Sequence, residues 1–281
     1  MTAKASSSRL AHRPSAITLI LWLGAFIWII PILWTLSMSL TPNETLRGEA
    51  IGLVPVGATL DNFIRLFGVS LFPRWLLNSA IVSVGSTVGV VALCSLAGYA
   101  LARMSFRGRS VMFAVIMAGL MIPDHAVFIP RHVLFSSLGL SNSYLGLSLP
   151  RLALPLGVFL MFQFFRAIPK EIEEAAALDG AGSWTTFRRV ILPLSRPAMV
   201  TLGIFAFVQA WNDFLWPLVS TNKPEMYTVT IGLASLQADF AQTEGLGSLM
   251  ATAVVTSIPI LLVFLVFQRY LIEGVRGTAR F

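Results

Sequence analysis

Long apolar stretches alternate with short polar ones along this 281-residue chain. Residues 17–38, 75–102 and 245–269 carry no acidic or basic side chain before Arg269. A helix needs roughly 20 apolar residues to cross a hydrocarbon core of about 30 Å, so each stretch predicts a membrane span. Three others have that length with polar interruptions. Residues 110–129 hold Asp124 and His125, 144–165 hold Arg151, and 197–219 hold Asp213. The pattern predicts an all-α membrane protein of six transmembrane helices. A tail over 1–15 precedes one transmembrane domain over 16–273, and a second tail covers 274–281.

Two features inside these stretches fit packed membrane helices. Pro123, Pro150, Pro155 and Pro259 lie within them, and neighbouring helices re-satisfy the backbone groups that proline frees. Ser83, Gly85, Ser86, Gly89, Ala92, Ser95 and Gly98 line the second stretch. Small side chains allow close helix approach, either within the chain or at a subunit interface.

Charge placement orients the bundle. With the N-terminus inside, the inner segments hold Lys4, Arg9, Arg13, Arg103, Arg107, Arg109, Arg166, Lys170, Arg188, Arg189, Arg196, Arg269, Arg276 and Arg280. The outer segments hold Arg47, Arg65, Arg74, Arg131 and Lys223. Fourteen against five is the inside excess of the positive-inside rule, so both termini are expected in the cytoplasm. The net charge of +7 thus reads as topology, and its scatter argues against a nucleic-acid surface. Only 12% of residues are charged and 56% are hydrophobic. A soluble fold of that composition would expose large apolar patches. The basic N-terminus before an apolar stretch resembles a secretion signal. No small-residue cleavage pattern follows, so it reads as a retained span. The single cysteine, Cys94, allows no disulfide within the chain, and the three dispersed histidines suggest no metal site.

One inner segment, 166–196, differs from the rest. Pro169 suits a first helical position. Glu171, Glu173 and Glu174 sit at the positive end of the helix dipole, the alanines propagate the helix, and Gly180 stops it. Ser183 is placed to cap a second helix that Pro193 ends. On the first helix Ile172, Ala175, Ala176 and Asp179 fall on one face, and Glu171, Glu174 and Leu178 on another.

This segment resembles the EAA loop of ABC-importer permeases: Glu174-Ala175-Ala176, three residues, Gly180, nine residues, then Val190-Ile191-Leu192-Pro193. Asp179 and Ala181 extend the match. Trp211-Asn212-Asp213-Phe214-Leu215-Trp216-Pro217-Leu218 and Thr228 to Leu233 are similar to carbohydrate-type permeases of the maltose-type second kind. The C-terminal run Gly274-Val275-Arg276-Gly277-Thr278-Ala279-Arg280-Phe281 departs from that family's usual ending.

The resemblance implies a type I importer permease in the bacterial cytoplasmic (inner) membrane. It implies a non-catalytic subunit with no cofactor of its own, ATP and magnesium being bound by two copies of a cytoplasmic ATPase subunit. No GxxxxGK[ST] phosphate loop occurs in the chain, in line with that division. Glu174, Ala175, Ala176, Asp179 and Gly180 would form the ATPase-docking surface, with Leu192 and Pro193 re-entering the membrane. A second, different permease subunit and an extracytoplasmic solute-binding protein are the other implied partners, the latter meeting residues 220–244. The cargo class implied is sugars or related polyols. Glycerol phosphate esters are the alternative, and an ion-coupled carrier a more distant one.

Gln209, Trp211, Asn212, Asp213 and Arg151 are the candidates for the solute path. The competing reading makes Trp211 and Trp216 interfacial aromatics, with Asp213 near the outer headgroups. Asp213 lies about 24 Å along the helix from Pro197, and Arg151 about 21 Å from Phe165 on the same side. Charges inside a membrane pair or face a cavity, so these two are expected to meet.

Overall fold

The computed structural model describes residues 16–46, 52–68, 71–239 and 245–277, and every regular element among them is helical. Three helices are long and apolar enough to cross a membrane unbroken: Ala16–Leu40, Phe72–Arg103 and Leu246–Tyr270. They coincide with the three uncharged stretches.

The interrupted stretches fold as bent pairs. Arg109–Met121 and Asp124–Ser137 meet at 94°, Tyr144–Leu152 and Pro155–Ala167 at 48°, and Ser183–Leu194 and Arg196–Trp211 at 74°. Counting each pair as one span, there are up to six among the described residues. The expected spans therefore shift. The third breaks before Pro123 and runs on to Ser137, and the fourth breaks at Ala153-Leu154. The fifth stops at Trp211 and restarts as Leu215–Ser220. Residues before Pro123 and Pro155 adopt extended ψ values, 116° at Ile122 and 91° at Leu154. Proline's ring disfavours the helical region for its predecessor.

The chain divides into two compact units, residues 1–66 with 240–254 and residues 67–239 with 255–281. The smaller is tied by a buried amide knot. Asn62 Nδ2 donates to the Ser39 and Thr41 carbonyls, each at 2.9 Å. Asn43 Nδ2 donates to Asn62 Oδ1 at 3.1 Å, and Asn43 Oδ1 accepts from the Gly247 backbone N–H at 2.7 Å. The buried Asn62 and the half-buried Asn43 thus each meet donor and acceptor partners.

In the larger unit, Phe72–Arg103 is the axis. Its small-residue stripe divides. Ser83, Ser86, Ser95 and Gly98 are buried, whereas Gly85 and Ala92 are exposed. A Cβ at Gly98 would lie 2.8 Å from Met161 Cβ, so the buried half serves close packing within the chain. Around that contact Val90, Cys94, Tyr99, Leu101, Phe165 and Leu202 form the core. At the other end of the axis, Asn78 Nδ2 donates to the Glu225 and Tyr227 carbonyls at 2.9 Å, and Asn78 Oδ1 accepts from Tyr144 Oη at 2.7 Å. Trp75 Nε1 donates to the Pro224 carbonyl at 2.7 Å. The segment expected as a free outer loop is thus strapped to the axis over 224–229 and continues as the helix Val229–Asp239. Residues 240–244 lie outside the described residues.

Candidate functional site

Two features stand out, the 166–196 segment and a cavity among the bent helices. In the segment, Lys170 is the N-cap of Glu171–Leu178, its carbonyl accepting from Glu173 and Glu174 N–H. Pro169 therefore lies outside the helix instead of at its first position. The helix ends in a Schellman turn: Ala181 N–H bonds the Ala176 carbonyl at 2.9 Å, Gly180 N–H the Ala177 carbonyl at 3.0 Å, and Gly180 takes φ of 80°. Only a residue without a Cβ adopts that φ at no steric cost.

The helix turns Ile172, Glu173 and Ala176 towards the rest of the chain. Ile172, Glu173 and Ala176 are half-buried, while Glu171, Glu174, Ala175, Leu178, Asp179 and Gly180 are exposed. The cause is an anchor from the axis helix. Arg103 pairs with Glu173 at 3.5 Å, and its Nη2 donates to the Ile168 carbonyl. Leu178 is left 91% exposed, an apolar tip beside a row of carboxylates.

The second half of the segment is rooted in the core. Its cap position is Gly182, and Ser183 is already helical and makes no cap bond. Phe187 is buried, 4.7 Å from the Tyr99 ring and 6.4 Å from that of Phe165. Pro193 does not end this helix. Residues Phe187–Ile191 widen into a π turn in which Leu192 N–H bonds the Phe187 carbonyl. The wider register absorbs the donor that Pro193 lacks, and the chain turns at the buried Ser195. Leu192 is half-buried and Pro193 exposed.

The cavity, of about 310 Å³, lies where the breaks at Ile122-Pro123, Ala153-Leu154 and Asp213 converge. Arg151, Asp213 and Gln209 line it. Arg151 Nη2 meets Asp213 Oδ2, the pairing that the helix depths predict. Asp213 also caps the restarted helix, its Oδ1 accepting from Trp216 N–H at 3.4 Å. Trp211 and Asn212 are not among the lining residues. Trp211 is buried, stacked on Phe207, with its indole N–H on the Thr256 carbonyl at 3.0 Å, and Asn212 is the exposed C-cap.

Asp124, His125, Arg131, Trp216 and Ser86 also line the cavity, and none of them is among the candidates for the solute path. Arg131 pairs with Asp124 at 2.9 Å and lies 5.5 Å over the Trp216 ring. Trp216 is buried and donates to the Gly146 carbonyl at 3.0 Å, so both indoles face the interior of the chain. The available signal was Asp124 and Arg131 seven residues apart, two helical turns on one face.

The model of the binding-protein-dependent transport system inner membrane component family matches residues 94–277. The chain belongs to that family. The match spans the 166–196 segment and every residue lining the cavity except Ser86 and Val90. The arabinooligosaccharide transport system permease protein of Halalkalibacterium halodurans is 36% identical, over 89% of this chain and 90% of its own. The sn-glycerol-3-phosphate transport system permease protein of Brucella abortus is 34% identical, over 93% and 95%. In fold, the chain is similar to a chain of the crystal structure of a bacterial ABC transporter that imports the acidic polysaccharide alginate. The TM-score is 0.80, at 24% identity, with 90% of this chain and 94% of that one covered.

Proposed function

We propose that the chain is the non-catalytic permease subunit of a sugar importer, with six spans, both termini in the cytoplasm and the 166–196 segment docked on an ATPase. The observation that carries this is the exposed helix Glu171–Leu178 joined to a second helix whose Phe187 is buried between Tyr99 and Phe165. A partner gripping Glu174, Ala175, Asp179 and Leu178 moves Phe187, and Phe187 moves the axis helix and the helix Pro155–Ala167. Closure of two ATPase copies on ATP and magnesium then drives the spans between inward-open and outward-open states. A second, different permease completes the pathway, and an extracytoplasmic binding protein delivers the solute. Arg151, Asp213 and Gln209 stand on that path. Trp211 and Asn212 support it from outside the cavity. The unbroken apolar exterior of Ala16–Leu40 suits lipid in a bacterial cytoplasmic membrane.

The test is Glu174→Lys in the importer reconstituted with its loaded binding protein. Charge reversal on the docking face is expected to abolish solute-stimulated ATP hydrolysis while the chain stays folded. Native stimulation in the variant would refute the docking role. Glycerol phosphate esters, carried by the Brucella relative, are the second cargo reading.

A further inference from the structure

We infer that the cavity among the bent helices accepts neutral polyhydroxyl solutes and rejects anionic ones, so that this chain helps set the charge class of the cargo. The inference rests on the importer reading above. Its basis is that each arginine lining the cavity already pairs with a carboxylate through Nη2, while Arg151 Nε keeps a buried N–H with no partner among the described residues. Arg151 is paired with Asp213, and Arg131 with Asp124 at 2.9 Å. Recognition of phosphate or carboxylate by arginine uses a guanidinium free to present two parallel N–H groups. Here an anionic solute must first displace a carboxylate. Displacing Asp213 strands a side chain only 19% exposed without its cation, and an unpaired charge away from water is strongly unfavourable; the exposed Asp124 is the weaker barrier of the two.

A hydroxyl meets no such obstacle, because it both donates and accepts. Paired carboxylates keep lone pairs, paired guanidiniums keep N–H groups, and Gln209 offers one of each kind on the same wall. A second observation points the same way. Ser86, which also lines the cavity, is 1% exposed, and its Oγ has no hydrogen-bond partner among the described residues. A neutral, unpartnered hydroxyl in a recess of about 310 Å³ is complementary to another hydroxyl. Buried polar groups ordinarily find partners, and the volume is at the lower end of small-molecule sites, about 300–1,000 Å³. Trp216, only 4% exposed, serves as the post that holds Arg131 in place and offers no open stacking face.

The experiment uses the importer captured through a tag on this chain from its own host, without nucleotide, and measures equilibrium binding of labelled glycerol 3-phosphate. The native complex is expected to show no saturable binding. Asp124→Asn with Asp213→Asn frees both arginines and is expected to gain it, tightening binding on the order of tenfold or more. Asparagine at 213 keeps an oxygen for the Trp216 N–H. Should that double variant fold poorly, Asp124→Asn alone frees Arg131 at a side chain 89% exposed and is expected to gain part of the binding. Saturable binding to the native complex that Arg151→Gln removes would overturn the charge-class inference and leave the solute path standing. A folded variant that gains nothing would overturn it too. The path reading is judged separately, by uptake in host cells of a panel of labelled neutral sugars and glycerol 3-phosphate. Full uptake by an assembled Arg151→Gln importer would remove the cavity from the path.

Discussion

The unbroken helices and the bent ones solve opposite problems with the same residue types. Ala16–Leu40 and Leu246–Gly277 each contain a proline, Pro31 and Pro259, and run straight through it. The bent pairs break next to Pro123 and Pro155. Proline alone therefore does not decide. What differs is what waits beside it. No charged side chain stands next to Pro31 or Pro259, whereas the breaks place Asp124, Arg151 and Asp213 around one cavity. At the interruption by Asp213, between Arg196–Trp211 and Leu215–Ser220, Pro217 withholds the N–H that would bond the Asp213 carbonyl, and Thr230 Oγ1 donates to that carbonyl at 2.7 Å instead. Irregular backbone at membrane depth persists only where a neighbour satisfies it or where it lines a cavity, and both conditions hold here.

The sharpest way to break this contrast is Arg151→Met. It removes the cation from a pair whose side chains are only 18% and 19% exposed, and stranding Asp213 is expected to cost about 3–5 kcal/mol. Exchange of the two charges, Arg151→Asp with Asp213→Arg, is expected to recover part of that. Recovery is incomplete because arginine cannot accept the Trp216 N–H. Thermal unfolding of the two purified variants checks both expectations. If Arg151→Met matches the native midpoint, the pair is an ornament on the break and does not hold it.

That pair was legible in the sequence because two lone charges stood at equal depth in adjacent apolar stretches. The Asp124–Arg131 pair was not. The sequence reading ended its span at residue 129, and the turn of 94° that carries the chain on to Ser137 leaves no mark beyond one proline. The docking segment shows the same division. Its Glu-Ala-Ala and Gly180 spacing gave the helix and its stop, because caps are local chemistry. The anchor on Glu173 is Arg103, far upstream, and no periodicity within 171–178 encodes a partner on another helix. Tertiary contacts of that kind likewise bury Trp211 and Trp216 inside the chain.

On the unbroken side, two glycines of the axis helix separate packing from propensity. Gly98→Ala puts a methyl 2.8 Å from Met161 Cβ and 3.0 Å from the Phe162 nitrogen, an overpacking expected to cost about 1–3 kcal/mol. Gly85→Ala meets nothing within 4 Å and removes glycine's backbone entropy. It is expected to be neutral or to stabilise by up to about 1 kcal/mol. Denaturant titration in detergent ranks the pair. Equal losses at both positions would mean that the exposed half of the stripe is packed after all, against a subunit the isolated chain lacks.

The smallest expected effect is the most informative about the breaks themselves. Pro217→Ala returns the missing N–H and invites the helix Arg196–Trp211 to continue. Loss of proline's restraint on the unfolded chain costs about 0.4–1 kcal/mol. The break is nonetheless expected to survive, because Thr230 holds the Asp213 carbonyl and Arg151 holds its carboxylate. Spin labels at the exposed positions Phe205 and Leu218 report the outcome. A continuous helix would separate their backbones by roughly 20 Å, thirteen residues at 1.5 Å each. A distance unchanged from the proline-containing chain means the cavity's contacts hold the break and the proline merely permits it. A shift to the straight-helix value assigns the break to proline, and the contrast with Pro31 and Pro259 then needs another cause.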